Sequence, residues 1–186
     1  MTLKKSDFIV WIDMEKTGLD PLKDRILELA CIITDGNLKT VSDEFHVVIH
    51  QSDEVLDNMD TLNRNRHKTS GLIDVSRRSE IKNCDAETKL LEFLQKYISK
   101  RTCPLAGNSV CMDRLFLTTQ MPLVNDYLHY HIIDVSSLKE LVRRWQRSKY
   151  RDKPPKYLCP RALYGVKESI EVLEYYRKCL FQPESQ

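Results

Sequence analysis

Residues 8–13 of the chain (Phe-Ile-Val-Trp-Ile-Asp) form a short apolar run of strand-forming residues closed by an acid, the pattern of a buried strand. Thr17-Gly18-Leu19-Asp20-Pro21 follows as a turn. Residues 26–34 read as a second strand closed by Asp35-Gly36, a hairpin signal, and residues 41–50 as a third. Ser52 stands where it can cap a helix reaching about residue 66. Residues 85–98 predict an amphipathic helix with Leu90, Leu91, Leu94, Tyr97 and Ile98 on one face. A brief strand at 105–108 then leads into a helix at 110–121, ended by Pro122. A strand at 130–134 feeds a helix at 135–146. Residues 148–156 are a polar linker with Pro154-Pro155, and a last helix runs from about 160 to 180.

Three hairpin-connected strands followed by strands alternating with helices predict an α/β fold: a mixed central sheet with three antiparallel N-terminal strands, flanked by helices. The 186 residues suit a single domain over 1–186. Hydrophobic residues at 41% and charged residues at 30% are ordinary for a packed globular chain. A net charge of +2 is too small to imply a nucleic-acid partner by itself. No segment approaches the roughly 18 consecutive apolar residues of a membrane span, and the polar N-terminus carries no signal-peptide pattern. The six cysteines are scattered without a Cys-x-x-Cys pair, which points to neither zinc nor a disulfide framework. Free thiols fit a reducing compartment, so the expected location is intracellular, with the cytoplasm favoured.

The chemistry sits in a few acids. Asp13 and Glu15 are two apart on a strand, so their side chains share a face. Two carboxylates there can hold Mg²⁺ or Mn²⁺, which prefer oxygen ligands. Taken alone, such a pair is more simply a solvated strand end. Its surroundings change that reading. Residues 11–20 (Trp-Ile-Asp-Met-Glu-Lys-Thr-Gly-Leu-Asp) closely resemble the first motif of the oligoribonucleases, which are DEDDh-type 3′-to-5′ exonucleases that degrade very short RNAs. Residues 107–117 resemble that family's second motif, 134–141 its third block, and Arg161-Ala162-Leu163 with Glu168-Ser169-Ile170 and Glu174-Tyr175-Tyr176-Arg177 its fourth. The blocks are in order and cover nearly the whole chain. The resemblance implies a ribonuclease H-like exonuclease fold, a homodimer and a divalent metal. Asp13 and Glu15 fall on the metal-binding acids, and Asp113 on the acid of the second motif.

The pattern fails at one place. The family's His-Arg-Ala-Leu-Asp-Asp reads Pro160-Arg161-Ala162-Leu163-Tyr164-Gly165 here. The general base and the last metal-binding acid are therefore missing, and a positioned base contributes roughly 10²–10⁴-fold in rate. The expectation is a degenerate member, inactive or strongly impaired, that acts by binding nucleic acid or a protein. The alternative is an active or weakly active metal-dependent 3′-to-5′ exoribonuclease on short oligonucleotides. For the substrate, the resemblance gives Leu19 as a wedge between bases. It also points to His67, to Ser109 and Ser136 as phosphate or ribose donors, and to Tyr130, reaching from a partner subunit. Leu62 stands in place of a base-stacking aromatic, and His131 in place of an arginine. A basic stretch from Arg143 to Lys156 fits a phosphate backbone or an acidic protein, or is simply a solvated helix end.

Overall fold

The computed structural model describes residues 7–157 and 159–181, so the polar start of the chain lies outside it. The strands are β1 (Ile9–Lys16), β2 (Ile26–Thr34), β3 (Phe45–Val48), β4 (Leu105–Gly107) and β5 (Ile132–Asp134). They form one five-stranded sheet in the order β3-β2-β1-β4-β5. The first three pair antiparallel, while β4 joins β1 and β5 joins β4 in parallel. This is the mixed α/β architecture expected from the pattern.

Strand alternation divides β1 between two cores. Val10, Ile12 and Met14 join Leu29, Cys31 and Ile33 of β2 on one face. That face is covered by α4 (Asn83–Tyr97), α5 (Val110–Gln120) and α6 (Pro122–Tyr127), through Leu90, Phe93, Phe116 and Val124 among others. Trp11 joins Ala30, Ile32 and Ala106 on the other face, under α7 (Val135–Trp145) and α9 (Ala162–Leu180), which contribute Val142, Val166 and Tyr176. The Trp11 indole N–H donates to Thr34 Oγ1 at 2.9 Å, so its one polar atom is satisfied inside the core. All nine residues of β2 are buried, so β2 reads as a continuous apolar run with a single charge, Glu28.

Several predicted boundaries move for identifiable reasons. β1 runs on to Lys16, so Asp13 and Glu15 lie within the strand rather than at its end. The third strand shrinks to four residues. The helix expected from Ser52 to about 66 is two helices, α1 (Asp53–Asp57) and α2 (Thr61–Thr69). Asp60 starts the second, its Oδ1 accepting from the N–H groups of Leu62 at 2.9 Å and Asn63 at 3.0 Å. An unforeseen α3 (Leu72–Arg78) follows Gly71, whose φ of 72° is left-handed. Pro122 closes α5 as expected and also opens α6, where its missing N–H has no role. The polar linker contains the short α8 (Arg147–Arg151).

Candidate active site

The ends of β1, β4 and β5 open into one cleft, with α2, α5, α7 and the start of α9 around it. Its walls include Asp13, Glu15, Lys16, Leu19, Arg66, Ser109, Asp113, Ser136, Pro160, Tyr164 and Gly165. The retained acids and the three positions where the fourth block departs from the family pattern therefore meet in space.

Asp13 and Glu15 share the face of β1 that carries Trp11. Glu15 is 4% exposed. Asp113 comes from the first turn of α5 and is 2% exposed. Burial, and then the neighbouring Asp113 charge, hold the Asp13 carboxyl well above the usual carboxylate range. Burial also raises Asp113, against the opposing pull of Lys16. Two cations sit among these acids. Lys16 Nζ lies 2.6 Å from Asp113 Oδ1, and an Arg66 guanidinium nitrogen lies 2.9 Å from Glu15 Oε1.

The position that the resemblance assigns to the missing acid is Gly165, and it lies directly on Asp13. A Cβ at this position would overlap the Asp13 carboxylate, standing 2.7 Å from its Cγ. Gly165 is thus more than a weak residue in a helix, because it lets α9 approach the acid. A buried glutamate fixes that approach. Glu28 accepts from Arg161 Nε at 2.7 Å and from the Ala162 N–H at 2.8 Å, and its Oε1 lies 2.6 Å from His46 Nε2. It thereby caps the start of α9 from the neighbouring strand. Burial alone would raise the Glu28 carboxyl. The hydrogen bonds from His46, Arg161 and Ala162 outweigh burial and hold it below its ordinary value.

On the opposite wall, Ser109 has a left-handed φ of 53°. Its N–H reaches Asp134 Oδ1 at 3.0 Å and Ser136 Oγ at 2.8 Å, and the two serine hydroxyls lie 3.1 Å apart. Asp134 also caps α7, accepting from Ser136 N–H at 2.9 Å. One carboxylate thus sets both serines at the cleft. Leu19 projects from the turn after β1 and is 68% exposed, available to a ligand.

Other predicted residues are placed elsewhere. His67 is 1% exposed and lies beneath the cleft wall. Its Nε2 is 2.9 Å from the Lys16 carbonyl, which makes Nε2 the protonated nitrogen. Its Nδ1 has no hydrogen-bond partner and lies 3.8 Å from Glu15 Oε2. Its place is to join α2 to β1 rather than to face a ligand. Tyr130 is exposed in a second pocket with His129, Arg101 and Arg114. It does not reach the cleft of its own chain, and neither His129 nor His131 lines that cleft. In the basic stretch, Arg143 and Arg144 are tied to Glu140, while Lys156 joins Lys139 at the cleft.

Sequence reading missed Lys16, Arg66 and Glu28. The signals were present: a lysine inside an acidic motif, and one charge in an otherwise apolar strand. The residues present do not fit a divalent cation. An ammonium is bonded to one acid, a guanidinium to another, and the position that the resemblance gives to the last metal-binding acid is a glycine packed on Asp13. Among the described residues, no three Asp, Glu, His or Cys side chains are arranged to hold a metal ion.

Residues 10–172 match the Exonuclease family of the RNase T type. An oligoribonuclease of Thiobacillus denitrificans is 45% identical over 176 residues, covering 95% of this chain and 96% of that protein. A probable oligoribonuclease of Drosophila melanogaster is 47% identical over 174 residues, covering 94% of this chain and 82% of that one. Among solved structures, exonuclease I of Methylocaldum szegediense matches 95% of the chain with a TM-score of 0.69 at 18% identity. The zinc-ion-bound complex of E. coli exonuclease I with single-stranded DNA matches 94% with a TM-score of 0.73 at 12% identity. This chain spans 41% of each of those two structures, which share its fold.

Proposed function

The chain belongs to the oligoribonuclease family within the RNase T-type exonucleases, and from that premise we propose that it holds the 3′ end of a short RNA in this cleft while hydrolysing it slowly or not at all. The observation that carries this reading is the start of α9. It seats Gly165 on Asp13, and the chain just before it brings Pro160 into the same cleft, where proline offers no proton acceptor and glycine no carboxylate. No histidine lines the cleft among the described residues, so no other imidazole takes the vacant role. Losing a positioned base alone removes roughly 10²–10⁴-fold of rate.

The binding parts remain. Leu19 is exposed to wedge between bases, and the Ser109 and Ser136 hydroxyls are paired to meet phosphate or ribose oxygens. Lys139, Lys156 and Arg161 line the same cleft and add positive charge for a phosphate backbone. Tyr130 faces away, and in a homodimer it would serve the cleft of the second copy. Among the described residues no helix is long and apolar enough to cross a membrane.

A second reading is an active exoribonuclease. The names carried by relatives at 42–47% identity favour it over a silent protein, and Asp13, Glu15 and Asp113 are all retained. Hydrolysis of a 5′-labelled diribonucleotide with Mg²⁺ or Mn²⁺, beside a double Asp13→Ala and Glu15→Ala variant, separates the two. The expected result is dinucleotide binding with turnover no higher than in the variant. Turnover that vanishes in the variant would establish the second reading.

A further inference from the structure

We infer that the acidic centre of the cleft is neutralised by the chain's own Lys16 and Arg66 in place of a divalent metal ion, and that Lys16 keeps such an ion out. The inference rests on the cleft assigned above and specifies what holds its acids.

Strand alternation sends Lys16 to the face opposite Glu15, the face on which α5 packs. There its ammonium meets Asp113 Oδ1 at 2.6 Å and the Met14 carbonyl at 3.0 Å. The Phe116 ring lies below it, 5.5 Å away. The two paired side chains are 11% and 3% exposed, so this is an interior ion pair and not a surface one. An ammonium removed from water in this way is held only when its charge and its hydrogen bonds are both answered. Asp113, the Met14 carbonyl and the Phe116 ring answer them. An oxygen of Asp113 is thereby committed to a fixed cation within the chain.

On the other face, α2 brings two more groups to Glu15. Arg66 takes Oε1 at 2.9 Å, and the ring of His67 stands 3.8 Å from Oε2. The same His67 ring is anchored to the Lys16 carbonyl. Helix α2 therefore couples the two cations, since the residue beside Arg66 grips the backbone of Lys16. Across from them, α9 is seated on Asp13 through Gly165 and supplies no further oxygen ligand. A divalent ion entering the centre would meet a positive charge beside each of two acids; Arg66 is half exposed and can swing into water, whereas Lys16 is enclosed beside Asp113.

The test is Mn²⁺ binding to the full chain, followed by electron paramagnetic resonance and by the melting temperature in EDTA and in millimolar Mn²⁺. Wild type should show no saturable binding and the same melting temperature in both. Lys16→Met should melt lower in EDTA and recover with Mn²⁺, binding the ion at least about tenfold more tightly than wild type, as removal of one neighbouring like charge implies. Saturable micromolar binding by wild type would overturn the inference, and so would Lys16→Met that binds no tighter. If Lys16→Met does not fold, Lys16→Gln takes its place, and the wild-type titration decides in any event. The outcome is separable from the reading of the cleft. Dinucleotide that fails to bind removes that reading and leaves the cation centre, whereas tight Mn²⁺ binding by wild type does the reverse.

Discussion

Glu28 and Asp13 lie on one face of neighbouring strands, and both are acids facing the start of α9. Glu28 is met by an arginine, a histidine and a helix N–H, which together overcome its burial and hold its carboxyl down. The Asp13 side chain forms no hydrogen bond or ion pair among the described residues, and desolvation and the nearby Asp113 charge hold its carboxyl up. Two acids a strand apart therefore have opposite energetic meaning. Glu28 is built into the fold as an anchor, whereas Asp13 is carried at a cost that the fold tolerates. The lesson is that burial of a carboxylate says little until its partners are counted.

The same exchange of acid for amide should give opposite signs at the two positions. Glu28→Gln leaves Arg161 short of its counter-charge and is expected to cost about 3 kcal/mol, the scale for breaking a buried pair. For a chain of this size that lowers the melting temperature by about 6 to 12 °C, measurable by calorimetry. The pH dependence follows from the depressed Glu28 value. Its contribution is present above the ordinary glutamate value of about 4.3 and is lost as the pH falls through the lower value in the fold. The gap between wild type and Glu28→Gln should therefore close on acidification. A gap that stays constant down to strong acid would remove Glu28 from its anchoring role.

Next in size is Gly165→Ala. In an open helix this change gains about 1 kcal/mol. Here the added methyl meets the Asp13 carboxylate, and overpacking of this kind costs about 1–3 kcal/mol. A lower melting temperature is expected, and a higher one would mean that Asp13 swings aside freely. The smallest effect is at Asp13→Asn, which replaces a half-buried carboxyl whose side chain nothing bonds. It should raise the melting temperature slightly at neutral pH, and a fall would show that Asp13 has a partner after all.

Much of this was legible in the sequence. The ends of β2 match the apolar run of residues 26–34, because a strand buried on both faces leaves no alternation to misread. The break between α1 and α2 was hidden, because Asp60 in the middle of a predicted helix reads as surface charge until its side chain is seen capping Leu62 and Asn63. The acids Asp13, Glu15 and Asp113 were placed in one cleft by motif alone. What the sequence did not disclose is their pairing. Lys16 and Asp113 are 97 residues apart, and Arg66 and Glu15 are 51 apart. Neither spacing has a local rule, so only the way α5 and α2 pack on the sheet brings them together.

The seat of α9 on Asp13 also bears on reversibility. Writing the family's histidine and aspartate into positions 160 and 165 is not a matter of those two positions alone. A side chain at 165 finds the Asp13 carboxylate in its way, because its first carbon would overlap that group. Restoration therefore requires Asp13 to turn or the helix to lift off the sheet, against the grip of Glu28 on Arg161 and Ala162. Position 165 therefore works as a keyed seat, in which a side chain fits only together with a new rotamer of Asp13, so the two positions have to change as a pair.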